Sequence, residues 1–198
     1  VLTFAGFLLL GGRLADLFGR RRVFIGSLLL FSLASLLGGL AQNSGELTAA
    51  RAIQGLGGAV LSPATLTIIM TTFGEGPPRH RALAAWSSVS GLGGAAGVIL
   101  GGVLTSYLSW PWVFYISLPV GLALIAIVPR FIAEAKGELA SRHFDVAGAT
   151  TITAALMLLV YALTRATQDG WGTPTTIALL ATSSALAGAF VLIERAAT

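Results

Sequence analysis

The sequence contains no cysteine and only two histidines, His80 and His143. Without thiolates there is no disulfide framework and no cysteine metal site, and the redox compartment leaves no trace. Charge is equally scarce: Asp, Glu, Lys and Arg make up 10% of 198 residues, where a soluble domain carries about 25%. With 55% hydrophobic residues and a mean hydropathy of +0.86, the chain has too few polar side chains to cover a water-facing surface. Its 25 glycines and 7 prolines follow no triplet period, which excludes collagen. Its many Leu, Ile, Val and Phe residues exclude a disordered chain. The class that remains is an all-α integral membrane protein.

Twelve basic against 8 acidic residues give a net charge of +4, a balance that in a soluble protein would suggest nucleic acid. Here the basic residues form short clusters between long apolar runs, which points to membrane orientation, with no nucleic-acid partner expected. The chain opens on Val1 inside an apolar run, without the basic stretch and small-residue cleavage site of a signal peptide. It reads as a fragment of a longer protein.

A bilayer core of about 30 Å takes about 20 apolar residues per helix. Charge-poor windows of that length fall at residues 23–42, 47–73, 147–164 and 175–193, with residues 1–11 the tail of an earlier span. Residues 82–129 hold no charged side chain and are too long for one crossing, so Ser109-Trp110-Pro111-Trp112 divides them into two helices. Tyr107, Trp110 and Trp112 at that turn suit the headgroup level. Counting connections alternately puts Arg13, Arg20, Arg21, Arg22, Arg79, Arg81, Arg130, Lys136, Arg142 and Arg195 on one side, with Arg51 and Arg165 elsewhere. That side is expected to be cytoplasmic, with outer turns at 43–46, 108–111 and 166–174. Residues 131–146 form the longest inner connection and read as a short interfacial helix or a solvated linker.

Three constellations stand out. The first inner loop, GGRLADLFGRRRVF, sets Gly11, Gly12, Asp16, Gly19 and Arg20 in a connection short enough to need a tight glycine turn. Asp16 beside four arginines is expected to be ionised and paired, a salt bridge that can break when helical bundles rock. Arg21 and Arg22 read as positive-inside anchors. Second, Arg51 lies inside an apolar helix, where a guanidinium costs several kcal/mol and normally faces a bundle interior or a watery cavity, the alternative being that, about one turn after Glu46, it snorkels to the outer headgroups. Gln54 sits one turn on, on the same face, able to share its hydrogen bonds. Third, Gly93, Gly97 and Gly101, with Gly102, form a small-residue stripe suited to close helix packing. The nearby string Gly91-Leu92-Gly93-Gly94-Ala95-Ala96 formally fits a dinucleotide pattern. It lies within a membrane span, with no acidic residue until Glu134, so nucleotide binding is excluded.

The string GGRLADLFGRRR resembles the inner-loop signature between the second and third helices of the major facilitator superfamily. Arg51-Ala52-Ile53-Gln54-Gly55-Leu56-Gly57-Gly58-Ala59 is similar to that superfamily's R-x-x-Q-G-x-G-x-A signature of the fourth helix. The glycine stripe resembles the antiporter signature G-x-x-x-G-P-x-x-G-G, with Val98 at the proline position. Residues 109–121 are similar to the W-R-W-x-F-x-I-N-x-P-x-G turn of the fourteen-helix drug:proton antiporters, with Pro111 and Ser117 in place of Arg and Asn. Phe144-Asp145, then two spans around Asp169-Gly170-Trp171-Gly172, resembles the helix pair inserted between the two halves in that branch.

The resemblance covers the whole chain and implies a helical bundle in three parts: residues 1–133 as a partial N-terminal half, 134–146 as a cytoplasmic linker, 147–198 as the inserted pair. It implies a cell-membrane exporter of drug-like small molecules driven by protons, working by alternating access and needing no cofactor. Arg51 and Gln54 would serve proton coupling, Gly12, Asp16, Gly19 and Arg20 the inner gate, and Gly93, Gly97, Gly101 and Gly102 helix packing. The alternatives are a metabolite uniporter or symporter of the same superfamily and a non-transporting membrane subunit. No enzyme chemistry is expected, since the sequence shows no Ser/His/Asp set, metal cluster or phosphate loop.

Overall fold

A computed structural model describes residues 2–132 and 146–197. They form eight helices: α1 (Leu2–Phe18), α2 (Arg20–Leu40), α3 (Ser44–Thr72), α4 (Pro77–Tyr107), α5 (Trp112–Tyr115), α6 (Ser117–Phe131), α7 (Val146–Asp169) and α8 (Pro174–Ala197). Six stretches are long and apolar enough to cross a membrane, with α5 and α6 running on as one, Trp112–Phe131. The six full spans expected from the sequence are all present. Their ends extend further because the helices continue into the polar connections.

The largest extension is at the first inner loop. The expected glycine turn over Gly11 and Gly12 is instead helix: α1 runs through both glycines, and one residue, Gly19 at φ 98°, reverses the chain into α2. That left-handed backbone angle is open to glycine and strained for other residues. At the other end of α2 the reversal is set by a capping box. Asn43 Oδ1 accepts from the Glu46 N–H at 2.9 Å, and the Glu46 carboxylate accepts from the Gln42 N–H at 2.8 Å. These bonds start α3 at Ser44, three residues before the apolar window begins. The expected interfacial helix falls on residues 133–145, outside the described residues.

Packing is the reverse of a soluble bundle. On α2 the buried set is Ser27, Leu28, Ser32, Ala34, Ser35, Gly38 and Gly39, while Leu29, Leu30, Leu33, Leu36, Leu37 and Leu40 are exposed. Lipid tails are as apolar as leucine, so burying leucine gains little there; small residues gain close backbone contact instead. α3 occupies the centre, between α1 and α2. α2 also meets α5 and α6, and α7 joins α8 to the bundle through α1, where Met157 lies against Gly6. α4 stands apart, touching α3 and α5, with no buried residue.

Two close approaches to α3, one on each side, depend on glycine. A Cβ on Gly57 would lie 2.9 Å from the Phe31 nitrogen and 3.0 Å from the Ser27 carbonyl oxygen, so α2 crosses directly over its backbone. On the α1 side, a Cβ on Gly11 would lie 2.5 Å from the Ala59 carbonyl oxygen. Pro63, four residues on, has no N–H to offer that carbonyl. The glycine therefore packs where the α3 ladder has an open acceptor.

Candidate functional site

Arg51 lies two turns into α3, and its Nη1 donates to Gln54 Oε1 at 3.0 Å. Gln54, 9% exposed, passes the chain on: its Nε2 donates to Ser35 Oγ at 2.7 Å. Ser35, fully buried, donates to the Phe31 carbonyl at 2.9 Å. A buried amide and hydroxyl are costly unless bonded, and here both are. Because arginine has donors and no acceptor, the amide orientation follows and every bond in the chain points from Arg51 toward α2.

The guanidinium has a second neighbour. Its Cζ lies 4.2 Å from the centroid of the Phe114 ring on α5, within cation–π range. Phe114 is 5% exposed and rests on Gly38 of α2, where a Cβ would come within 2.6 Å of the ring. Trp110 meets Phe114 edge-on, centroids 6.1 Å apart at 84°. The next residue repeats the arrangement: the Tyr115 ring lies against Gly39, and its hydroxyl donates to the Gly39 carbonyl at 2.8 Å. Two adjacent glycines thus seat two adjacent aromatic rings. The sequence reading placed Trp110 and Trp112 in an interfacial belt and gave the Phe114 ring no partner. Beyond these contacts Arg51 is exposed.

At the opposite end, Gly12 lies on α1 with Pro63 of α3 as its neighbour, 3.7 Å from a built Cβ. Gly19 forms the turn and Arg20 opens α2. The side chains of Arg13 and Asp16 lie outside the described residues, as does any ion pair they form. Arg21, expected to be a simple anchor, also donates from Nη1 to the Ile132 carbonyl at 3.4 Å, joining the start of α2 to the end of α6.

The glycine stripe on α4 is in a different position. Around Gly93, Gly97, Gly101 and Gly102 nothing among the described residues lies within 4 Å of a built Cβ. A further polar group lies between α7 and α8, where Arg165 pairs with Asp169 at 3.2 Å and donates to the Tyr161 hydroxyl at 3.1 Å, beside a cavity of about 470 Å³.

Two kinds of similarity bear on this site. The cephamycin export protein CmcT of Amycolatopsis lactamdurans is 44% identical over 98% of this chain and 40% of its own length. The puromycin resistance protein pur8 of Streptomyces alboniger is 43% identical over 98% of the chain and 38% of its own length. The tetracenomycin C resistance and export protein of Streptomyces glaucescens is 35% identical over 100% and 37%. The chain therefore spans about two fifths of these relatives. The Major Facilitator Superfamily pattern matches residues 1–194. With a helical bundle of the expected order and a family match running almost end to end, the chain belongs to the Major Facilitator Superfamily.

Proposed function

We propose that the protein containing this chain is a proton-coupled exporter of drug-like small molecules, working by alternating access in the cell membrane. The observation that carries this reading is the match of essentially the whole chain, at 35–44% identity, to proteins named for export of or resistance to three different antibiotics. The division into a partial N-terminal half (1–133), linker (134–146) and inserted helix pair (147–198) belongs to the same proposal. So do the roles of its residues. Arg51 with Gln54 serves proton coupling, as a cation within a membrane span that changes partners as the bundle rocks. Gln54 and Ser35 tie that cation to α2. Gly12, Asp16, Gly19 and Arg20 hold the inner end at the α1–α2 turn, and the α4 stripe from Gly93 to Gly102 is a sliding surface for another helix.

The reading is tested with the complete reading frame in bacterial cells stripped of their own exporters. Cells producing the protein are expected to hold several-fold less of a fluorescent lipophilic cation than control cells, with the difference abolished by a protonophore. Equal accumulation across a chemically varied drug panel contradicts the exporter reading. Uptake of a small metabolite that ignores the protonophore identifies a uniporter instead.

A further inference from the structure

We propose that Phe114 is a positioning residue for Arg51: its ring, held immobile on Gly38, fixes the plane of the guanidinium so that the cation meets its coupling partners in one orientation. This rests on the exporter reading for its functional meaning and on geometry for its substance. Arginine ends a long, flexible side chain, and a single bond to Gln54 at 3.0 Å leaves the guanidinium free to swing about it. A ring centroid 4.2 Å from Cζ removes that freedom, because the attraction requires the cation to lie over the ring face.

The ring qualifies as a fixed platform because three elements hold it. Gly38 provides a seat on α2 that any Cβ would fill, at 2.6 and 2.7 Å from two ring carbons. The Trp110 edge closes on it from the preceding turn, 84° from coplanar. The next residue, Tyr115, fastens the same helical turn to α2 through its hydroxyl bond to the Gly39 carbonyl. Phe114 is 5% exposed, so it also keeps water from one face of the guanidinium and strengthens the bond to Gln54. The platform sits at the head of α5 and α6, so Arg51 is gripped by two separate parts of the chain, α3 through Gln54 and α5 through Phe114.

The test uses the complete protein in proteoliposomes, with Phe114 replaced by mono-, di- and trifluorophenylalanine. Each fluorine weakens the negative ring face while the ring's size hardly changes, so a purely space-filling role is not affected. Proton-driven drug flux at a limiting gradient is expected to fall stepwise, about twofold to thirtyfold across the series, with the apparent KM for protons rising. Phe114→Leu is expected to show the full loss and Phe114→Trp to recover most of it. A flat series, or Phe114→Leu matching wild type, overturns the proposal.

Wild-type protein without any drug-driven flux would instead count against the exporter reading. Positioning is then read from thermal unfolding of Phe114→Leu, Arg51→Gln and the double variant. Non-additive losses support the contact, and strictly additive ones overturn it.

Discussion

Gly57→Leu is expected to lower the unfolding midpoint of the protein in lipid nanodiscs by roughly 2 to 12 °C. A Cβ there meets backbone atoms of α2, the Phe31 nitrogen at 2.9 Å and the Ser27 carbonyl oxygen at 3.0 Å, and backbone cannot rotate away. The two helices must separate, and overpacking of this kind costs about 1–3 kcal/mol, which for a domain of this size is about 2–4 °C per kcal/mol. Separation also stretches the bond from Gln54 to Ser35, because it spans the same α2–α3 contact. Gly26→Leu provides the control. Gly26 is exposed on α2 with nothing among the described residues within 4 Å of a built Cβ, so it should lose nothing and gain helix propensity. Equal destabilisation by the two substitutions would show that glycine content, not the close approach at Gly57, sets stability.

Arg51→Gln is expected to reduce drug-driven proton movement by roughly 30-fold to 10³-fold while leaving the protein folded. The substitution removes a charged donor worth about 1.5–3 kcal/mol to Gln54 and a cation–π contact worth about 0.5–1 kcal/mol at an exposed site; each 1.4 kcal/mol is about tenfold. Arg51→Lys keeps the charge but not the planar fork, so a partial loss of about tenfold is expected. The two variants are compared by initial rates in vesicles at equal protein content. Unchanged rates in Arg51→Gln would make Arg51 a headgroup anchor and remove it from the coupling machinery.

Which parts of this were legible in the sequence follows from the range of the interactions involved. Membrane spans are written locally: about 20 apolar residues announce themselves, and all six appear where expected. Helix ends were less legible because their signals are single residues. The Asn43–Glu46 cap lengthened α3 toward its start, and only the positive φ of Gly19 marks where α1 stops, since the helix absorbs Gly11 and Gly12. Arg51 and Gln54 were paired by their spacing on one helix face, and they share a hydrogen bond.

Phe114 stands at the F of the W-R-W-x-F turn, yet its contact with Arg51 was missed because its partners lie on two other helices. The signal for its seat was a size match between distant doublets, Gly38-Gly39 and Phe114-Tyr115. The α4 stripe reads in the sequence as a packing surface, and among the described residues nothing lies within 4 Å of a Cβ built on it.

In the proposed function, proton movement through this multi-pass membrane protein is coupled to drug movement. It is tested most directly in inside-out vesicles carrying the complete reading frame, by imposing a proton gradient and adding lipophilic cations and other drugs one at a time. Particular drugs are expected to collapse the gradient in wild-type vesicles and to fail to do so with Arg51→Gln. A gradient that no drug disturbs, in vesicles that still carry the folded protein, would contradict it.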